Sequence, residues 1–193
     1  MSTIVPPPLG LGRPSQNNKK YKLVVVQNPV RARCCGFGEK DRRPIDPPPI
    51  LQLFIENPDG TLQNANNDNS NISLFVVQCG LFSENGKEKR ELVYNPSANF
   101  PIPSSQSDLS VRVEGRFRLK FIFIDLSAGD PLTMSAQVSN YVLSNPFTVY
   151  SAKNFPGMTD STPLSQCFAQ QGIKISIRKG RRIRRFVGLS SKK

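Results

Sequence analysis

The strongest strand signal in the chain lies at residues 115–127, which read GRFRLKFIFIDLS. Successive side chains of a β-strand point to opposite faces, so residues two positions apart share a face. The two faces here differ in character, because Phe117, Leu119, Phe121 and Phe123 alternate with Arg116, Arg118 and Lys120. The alternation predicts a half-buried strand with its apolar face in a hydrophobic core and its basic face in solvent.

Further short segments rich in Val, Ile, Thr and Phe flank this stretch, and clusters of Pro, Asn, Gly and Ser separate them. This pattern is typical of proteins with many short strands, and the 17 prolines disfavour long helices. The other predicted strands are residues 21–27, 50–56, 72–81, 91–94, 138–143, 147–152 and 173–178. A chain of 193 residues suits one domain. We therefore expect an all-β fold, an antiparallel β-sandwich.

One short helix is predicted near the C-terminus. Thr162 suits the N-cap, Pro163 suits the first helical position, and Gly172 suits the end of the helix. The expected inner face consists of Leu164, Cys167 and Phe168.

The net charge of +12 is concentrated at the two ends of the chain. Residues 1–30 carry +4, residues 31–43 carry +3, and the last 20 residues carry +9, whereas residues 44–173 carry −4. A mildly acidic body with basic ends indicates a polyanionic partner, since scattered lysines would serve solubility equally well.

The residue types of many active sites are missing or scattered. The chain has no histidine, which excludes Ser-His and Cys-His catalysis and imidazole–metal sites. The four cysteines, at positions 34, 35, 79 and 167, lack CxxC spacing, so we expect neither zinc nor a disulfide. Composition leaves carboxylate-pair hydrolysis open, but acids such as Asp59, Asp68 and Glu84 lie in predicted turns and are interpreted as solvated. We expect no enzyme, no cofactor and no small-molecule substrate.

No segment suggests a membrane protein. The chain has no stretch of roughly 20 apolar residues, and prolines interrupt the N-terminal sequence MSTIVPPPLGLGRP, which lacks the apolar centre of a signal peptide. A reduced interior compartment is expected.

A basic segment between a predicted strand and a triple proline is the main candidate site. It carries five bases, Arg31, Arg33, Lys40, Arg42 and Arg43. Four of the five are arginine, which favours bidentate contacts to phosphate or guanine. The alternative is a solvated loop whose arginines pair with Glu39, Asp41 and Asp46. Composition alone supports the two interpretations equally.

Residues 31–49, RARCCGFGEKDRRPIDPPP, resemble the signature near the start of the velvet domain of fungal regulators. The resemblance continues at residues 147–158, FTVYSAKNFPGM, and at residues 171–179, QGIKISIRK. It covers roughly residues 21–180, in order. We expect a flexible leader at residues 1–19, a velvet-like domain at residues 20–180 and a basic tail at residues 181–193.

The resemblance implies an immunoglobulin-like β-sandwich similar to the DNA-binding part of Rel-type transcription factors. It implies a nuclear regulator of development, sporulation and secondary metabolism, with or without shuttling to the cytoplasm. It also implies binding to double-stranded DNA as a dimer with itself or another velvet-domain protein. Its DNA-facing residues would be Arg31, Arg33, Lys40, Arg42 and Arg43, with Lys153 and Lys179 as further contacts. Cys34 stands where the family usually has a bulkier apolar residue.

The basic tail has three interpretations. Lys179, Arg181, Arg182, Arg184 and Arg185 could form a nuclear import signal, contact DNA, or do both; a solvated tail is the alternative. For the whole chain, the competing hypotheses are a structural nucleoprotein with basic arms and an adaptor that binds only proteins.

Overall fold

The computed structural model describes residues 19–36, 41–65, 74–90, 109–130 and 135–178. Within these ranges it contains eight strands and one helix. The strands are β1 (Lys20–Gln27), β2 (Arg31–Arg33), β3 (Ile50–Glu56), β4 (Leu62–Asn64), β5 (Phe75–Ser83), β6 (Gly115–Asp130), β7 (Ser135–Leu143) and β8 (Phe147–Tyr150), and the helix is α1 (Pro163–Gln170).

The strands form two sheets. The first has the order β1-β3-β4, and the second has the order β2-β8-β6-β5, with β7 also paired to β6. Strand β6 is 16 residues long, so Gly115–Phe117 pairs with β8 while the segment from Lys120 onward pairs with β7. The prediction of an all-β sandwich with one short helix is confirmed. One detail differs from a purely antiparallel fold, because β2 runs parallel to β8.

The predicted alternation along β6 is confirmed. Leu119, Phe121 and Phe123 are 2%, 3% and 1% exposed, and Phe117 packs against the same core. On the opposite face, Arg116 forms an ion pair with Glu84 at 3.0 Å. The Lys120 ammonium on that face lies over the rings of Phe82 and Tyr141, 5.3 and 4.2 Å from their centroids.

An aromatic cluster joins the two sheets. Tyr21 of β1 contacts Phe123 of β6, with ring centroids 5.0 Å apart, and Phe75 of β5, at 5.4 Å. Phe75 and Phe123 pack edge to face at 5.2 Å. Each ring buries a large apolar area, and edge-to-face pairs add a favourable electrostatic contact. These three residues therefore stabilise the packing of one sheet on the other.

Helix α1 is confirmed, but its predicted inner face is wrong at Leu164 and Cys167, whereas Phe168 is half-buried. Thr162 caps the helix by accepting a hydrogen bond from the Ser165 N–H at 3.1 Å. The buried side chain is Ser165, at 1% exposure, whereas Leu164 is 37% exposed and Cys167 is also exposed. The Gln27 side-chain amide donates to the Ser165 hydroxyl at 2.9 Å. A polar contact therefore fixes the helix on the sandwich.

The predicted strand at residues 173–178 is also wrong, since the structure shows no strand there. Ile173 and Ile177 are 54% and 40% exposed, so neither lies in a core. The segment is held instead by Ser161, whose N–H donates to the Arg178 carbonyl at 3.2 Å. The predicted strand at residues 91–94 lies outside the described residues. No helix among the described residues is long and apolar enough to cross a membrane.

Candidate nucleic-acid interface

Strand β2 places two of the candidate arginines at an edge of the second sheet. Ala32 is fully buried, so its neighbours Arg31 and Arg33 point to the opposite side of the strand. The strand is held by backbone hydrogen bonds to Asp46, whose carbonyl accepts from Val30 and Arg31 at 2.9 Å each. The Asp46 N–H donates to the Arg31 carbonyl at 2.8 Å. The base of the basic loop, residues 31–43, is therefore fixed to the residue just before the proline run.

Asp41 closes the described part of this loop. One carboxylate oxygen lies 3.2 Å from the Arg33 guanidinium, and the other accepts from the Gly36 N–H at 2.7 Å. The Gly36 N–H, followed by the charges of Arg33 and Arg43, holds the pKa of Asp41 below its usual value, although desolvation acts in the other direction. Asp41 is therefore ionised at neutral pH. The alternative interpretation, in which acids of the loop pair with its arginines, is confirmed for Arg33.

Arg42 and Arg43 differ from Arg33 in their contacts. Neither forms a hydrogen bond or an ion pair with any residue that the structure describes. Arg43 is exposed, and Arg42 is half-buried with its Nε buried and without a partner. Asp46, a predicted partner of these arginines, instead pairs with Arg178 at 2.8 Å. Glu39, the remaining predicted partner, lies outside the described residues, so the pairing of Arg42 and Arg43 is established only for the described part of the chain.

Arg31 has a weaker contact than Arg33, which forms an ion pair. One of its terminal nitrogens donates a long hydrogen bond, 3.4 Å, to the Gly157 carbonyl, while its Nε is buried without a partner. This contact places the segment around Gly157 next to the loop. Among the described residues, the Arg31 guanidinium thus has one long hydrogen bond, and its Nε is buried rather than exposed at the sheet edge.

Lys153 is exposed and lies three residues beyond Tyr150, the register partner of Arg33. It is therefore at the same end of the second sheet as the loop. Lys40, Lys179, Arg181, Arg182, Arg184 and Arg185 lie outside the described residues, so their predicted roles remain predictions.

The sequence interpretation missed two arginines near the loop. Arg112 donates to the Gly36 carbonyl and supports the loop from the segment before β6. Arg178 forms the ion pair with Asp46. Both pairings join residues far apart along the chain, so local spacing carried no signal for them.

The two adjacent cysteines have structural contacts. The Cys34 thiol donates to the Arg112 carbonyl at 2.7 Å, and the buried Cys35 thiol donates to the Val111 carbonyl at 3.4 Å. Desolvation, followed by the proximity of Cys35, Glu114 and Asp41, raises the pKa of Cys34. A protonated Cys34 suits its hydrogen-bond donor role. The cysteines at positions 34, 35, 79 and 167 are all free thiols.

A comparison with family models shows to which protein family the chain belongs. The family model described as Velvet factor matches residues 21–107 and 106–182. The chain belongs to the velvet family. The resemblance of residues 31–49, 147–158 and 171–179 to velvet proteins is therefore confirmed.

Several characterised velvet proteins are similar to the chain. The sexual development regulator umv3 of Mycosarcoma maydis is 39% identical over 205 residues, covering 90% of this chain and 49% of that protein. The developmental and secondary metabolism regulator veA of Emericella nidulans is 35% identical, covering 93% of this chain and 40% of that protein. Velvet complex subunit 2 of Cochliobolus heterostrophus is 27% identical over 86% of this chain and 87% of its own length. The chain spans about half the length of the first two relatives that it matches, umv3 and VELC of Pyricularia oryzae, at 49% and 45%.

Proposed function

We propose that the chain is a sequence-specific, double-stranded DNA-binding transcriptional regulator of fungal development, sporulation and secondary metabolism. It acts in the nucleus as a dimer with itself or with another velvet-domain protein. The proposed role in development and secondary metabolism is supported by relatives that are named as regulators of these processes. Velvet regulators are in general not enzymes, and the proposal includes no catalytic step.

One observation supports the DNA-binding part: beside the fixed strand β2, the guanidinium groups of Arg42 and Arg43 form no ion pair with any described residue. Arginine presents a planar set of donors that matches a phosphate or the major-groove edge of guanine. Arg31 and Arg33 share one face of β2, and Lys153 lies at the same sheet end. The loop therefore combines arginines that pair with no described residue and a rigid base, and such an arrangement suits the positioning of a protein on a duplex.

The test is selection from a pool of random-sequence DNA duplexes, followed by mobility shifts at rising salt. We expect one motif to be enriched and the selected duplex to bind more tightly than its scrambled version. A structural nucleoprotein would bind both duplexes equally, because phosphate contacts carry no sequence information. An adaptor that binds only proteins would shift neither duplex. Either result would contradict the proposal.

Dimer formation gives a separate expectation. Paired DNA readers gain affinity by binding two half-sites, so light scattering should give the mass of a dimer in at least one mixture. The mixtures are the chain alone, the chain with a second velvet-domain protein, and each of these with the selected duplex. A monomer mass for the chain in every mixture would show that this part of the proposal is wrong.

Nuclear import gives a further expectation for residues 179–185, which carry five bases and no acid. Fused to a cytoplasmic reporter, this segment should concentrate the reporter in the nucleus, because basic clusters of this length serve as import signals. The control is the same fusion with its five bases replaced by Gln. If both fusions divide in the same way between nucleus and cytoplasm, residues 179–185 are not an import signal.

A further inference from the structure

The Asp41 carboxylate connects a side chain of strand β2 to the backbone of the basic loop. One oxygen, Oδ1, lies 3.2 Å from a terminal nitrogen of Arg33. The other, Oδ2, accepts a hydrogen bond from the Gly36 N–H at 2.7 Å. Because both oxygens are engaged, the carboxylate cannot turn away from either partner without losing a contact. The position of the Arg33 guanidinium is therefore tied to the backbone at residue 36.

The backbone at Gly36 is itself held in place. The Arg112 guanidinium donates to the Gly36 carbonyl, and the preceding residue, Cys35, donates its N–H to the Val111 carbonyl at 3.0 Å. A Cβ atom at position 36 would lie 3.1 Å from Oδ2 of Asp41, closer than ordinary van der Waals contact. Glycine therefore gives the carboxylate room to reach the N–H, and Asp41 rests on a fixed support.

The pairing with Asp41 uses a small part of the Arg33 guanidinium. This group carries five N–H donors, and among the described residues Arg33 donates from one terminal nitrogen, to Asp41. Its side chain is 24% exposed. An arginine held through one nitrogen can present its other donors to a phosphate or to the edge of a guanine. Asp41 can therefore orient Arg33 without blocking its access to a duplex.

We propose that Asp41 is a positioning residue, which holds the Arg33 guanidinium in the orientation that DNA recognition requires. This role rests on the proposed function and gives an acid a favourable effect inside a basic DNA-binding loop. The physical basis is preorganisation, because a long side chain that is ordered beforehand loses less conformational freedom on binding. The charge of the carboxylate has the opposite effect, since it repels phosphates. The two effects differ in sign, so an experiment can separate them.

The first experiment uses Asp41→Asn in the full chain and measures the affinity for the selected duplex and for its scrambled version. Asn keeps the size of the side chain but turns an NH2 donor toward one of the two donors that Asp41 binds. The affinity for the selected duplex should fall about three- to tenfold, the cost of ordering one long side chain on binding. The scrambled duplex should bind equally well or more tightly, because its binding depends on charge and the variant has one acid fewer.

Glu114→Gln is the matched control. Glu114 is exposed and forms no hydrogen bond or ion pair with a described residue. It lies near the base of the loop, since its charge, after desolvation and Cys35, is a further cause of the raised pKa of Cys34. The affinities of this variant for the two duplexes should stay unchanged or rise together. If Asp41→Asn behaves in the same way, the Asp41 carboxylate acts only through its charge and the inference is wrong.

A double-mutant cycle tests whether Asp41 acts through Arg33. Arg33→Gln is combined with Asp41→Asn, and the four proteins are compared on the selected duplex. When Arg33 is already replaced, Asp41→Asn should change the affinity by less than about twofold or raise it, because no guanidinium is left to orient. The same loss of affinity in both backgrounds would show that Asp41 acts by another route and would overturn the inference.

Thermal unfolding separates positioning from stability. The Asp41 side chain is 44% exposed, and exposed ion pairs contribute little to stability, so the midpoint of Asp41→Asn should stay close to that of the unmodified chain. A large fall of the midpoint would make the carboxylate a structural group and would also overturn the inference. If the unmodified chain itself does not prefer the selected duplex, the proposed function is wrong, and the role of Asp41 falls with it.

Discussion

Replacing Phe121 with Ala is expected to lower the free energy of unfolding by about 3–5 kcal/mol. Phe121 is 3% exposed at the centre of β6, where it is paired with Cys79 of β5 and Val142 of β7. Truncation removes a buried ring and leaves a cavity that strands bonded on both sides cannot close. The expected loss is a large share of the stability of a small domain.

Thermal unfolding measures this effect, and Tyr141→Ala is the control. Tyr141 lies on the outer face of the same sheet and is 59% exposed, so its loss should cost only the contact with Lys120, about 0.5–1 kcal/mol. The midpoint of Phe121→Ala should fall by roughly 6–20 °C for a chain of this size. Equal shifts of the midpoint in the two variants would mean that the buried and the exposed faces of this sheet are assigned wrongly.

Strand β6 was predictable because one of its faces is buried and the other is not. A shift of one residue would move every phenylalanine into solvent, so the local pattern determines the orientation. The same reasoning failed at residues 173–178, where Ile alternates with polar residues but no strand of the described residues pairs with the segment. Alternation identifies a segment that suits a sheet, whereas pairing requires a free edge elsewhere in the fold.

Short or polar elements were not predictable from local sequence. Strand β2 has three residues, and its place depends on β8, more than 100 positions away. Helix α1 was expected to bury Leu164, Cys167 and Phe168, but only Phe168 is half-buried. The fully buried side chain is Ser165, because Gln27, 138 positions away, donates a hydrogen bond to it. A side chain that is buried through a distant polar partner gives no hydrophobic signal.

The sequence predicted which residue types form the candidate site, but it did not predict which arginine forms an ion pair with which aspartate. Clustered arginines between a strand and prolines indicated a polyanion-binding loop. Spacing could not show that Arg33 pairs with Asp41, eight positions away, while Asp46 pairs with Arg178, 132 positions away. Because Asp41 and Asp46 are occupied by other arginines, Arg42 and Arg43 form no ion pair among the described residues, and they are the strongest candidates.

Replacing Arg42 and Arg43 together with Ala should weaken DNA binding at least tenfold and leave the fold intact. Neither residue pairs with a described residue, so the substitution breaks no ion pair there. Each lost phosphate contact should reduce the slope of log affinity against log salt by about 0.9. An arginine that reads a base should instead cost about 1–3 kcal/mol and relax preference at one position.

The matched control is the replacement of Lys20 and Lys22 with Ala. Both are exposed on β1, at the opposite end of that strand from Gln27, which contacts Pro48 and Ser165 near Asp46. Lys22 and Lys20 lie five and seven residues from Gln27, which corresponds to roughly 17–23 Å along the strand. The control removes the same two charges, so it reports the general effect of net charge on DNA affinity.

The most direct test of the central claim is a salt titration of binding to the selected duplex for the unmodified chain and the two double variants. We expect the loop variant to lose affinity and to show a slope smaller by up to about 1.8, the value for two phosphate contacts. The Lys20 and Lys22 variant should stay close to the unmodified chain. Unchanged affinity and slope in the loop variant, with cooperative unfolding preserved, would show that Arg42 and Arg43 do not bind DNA.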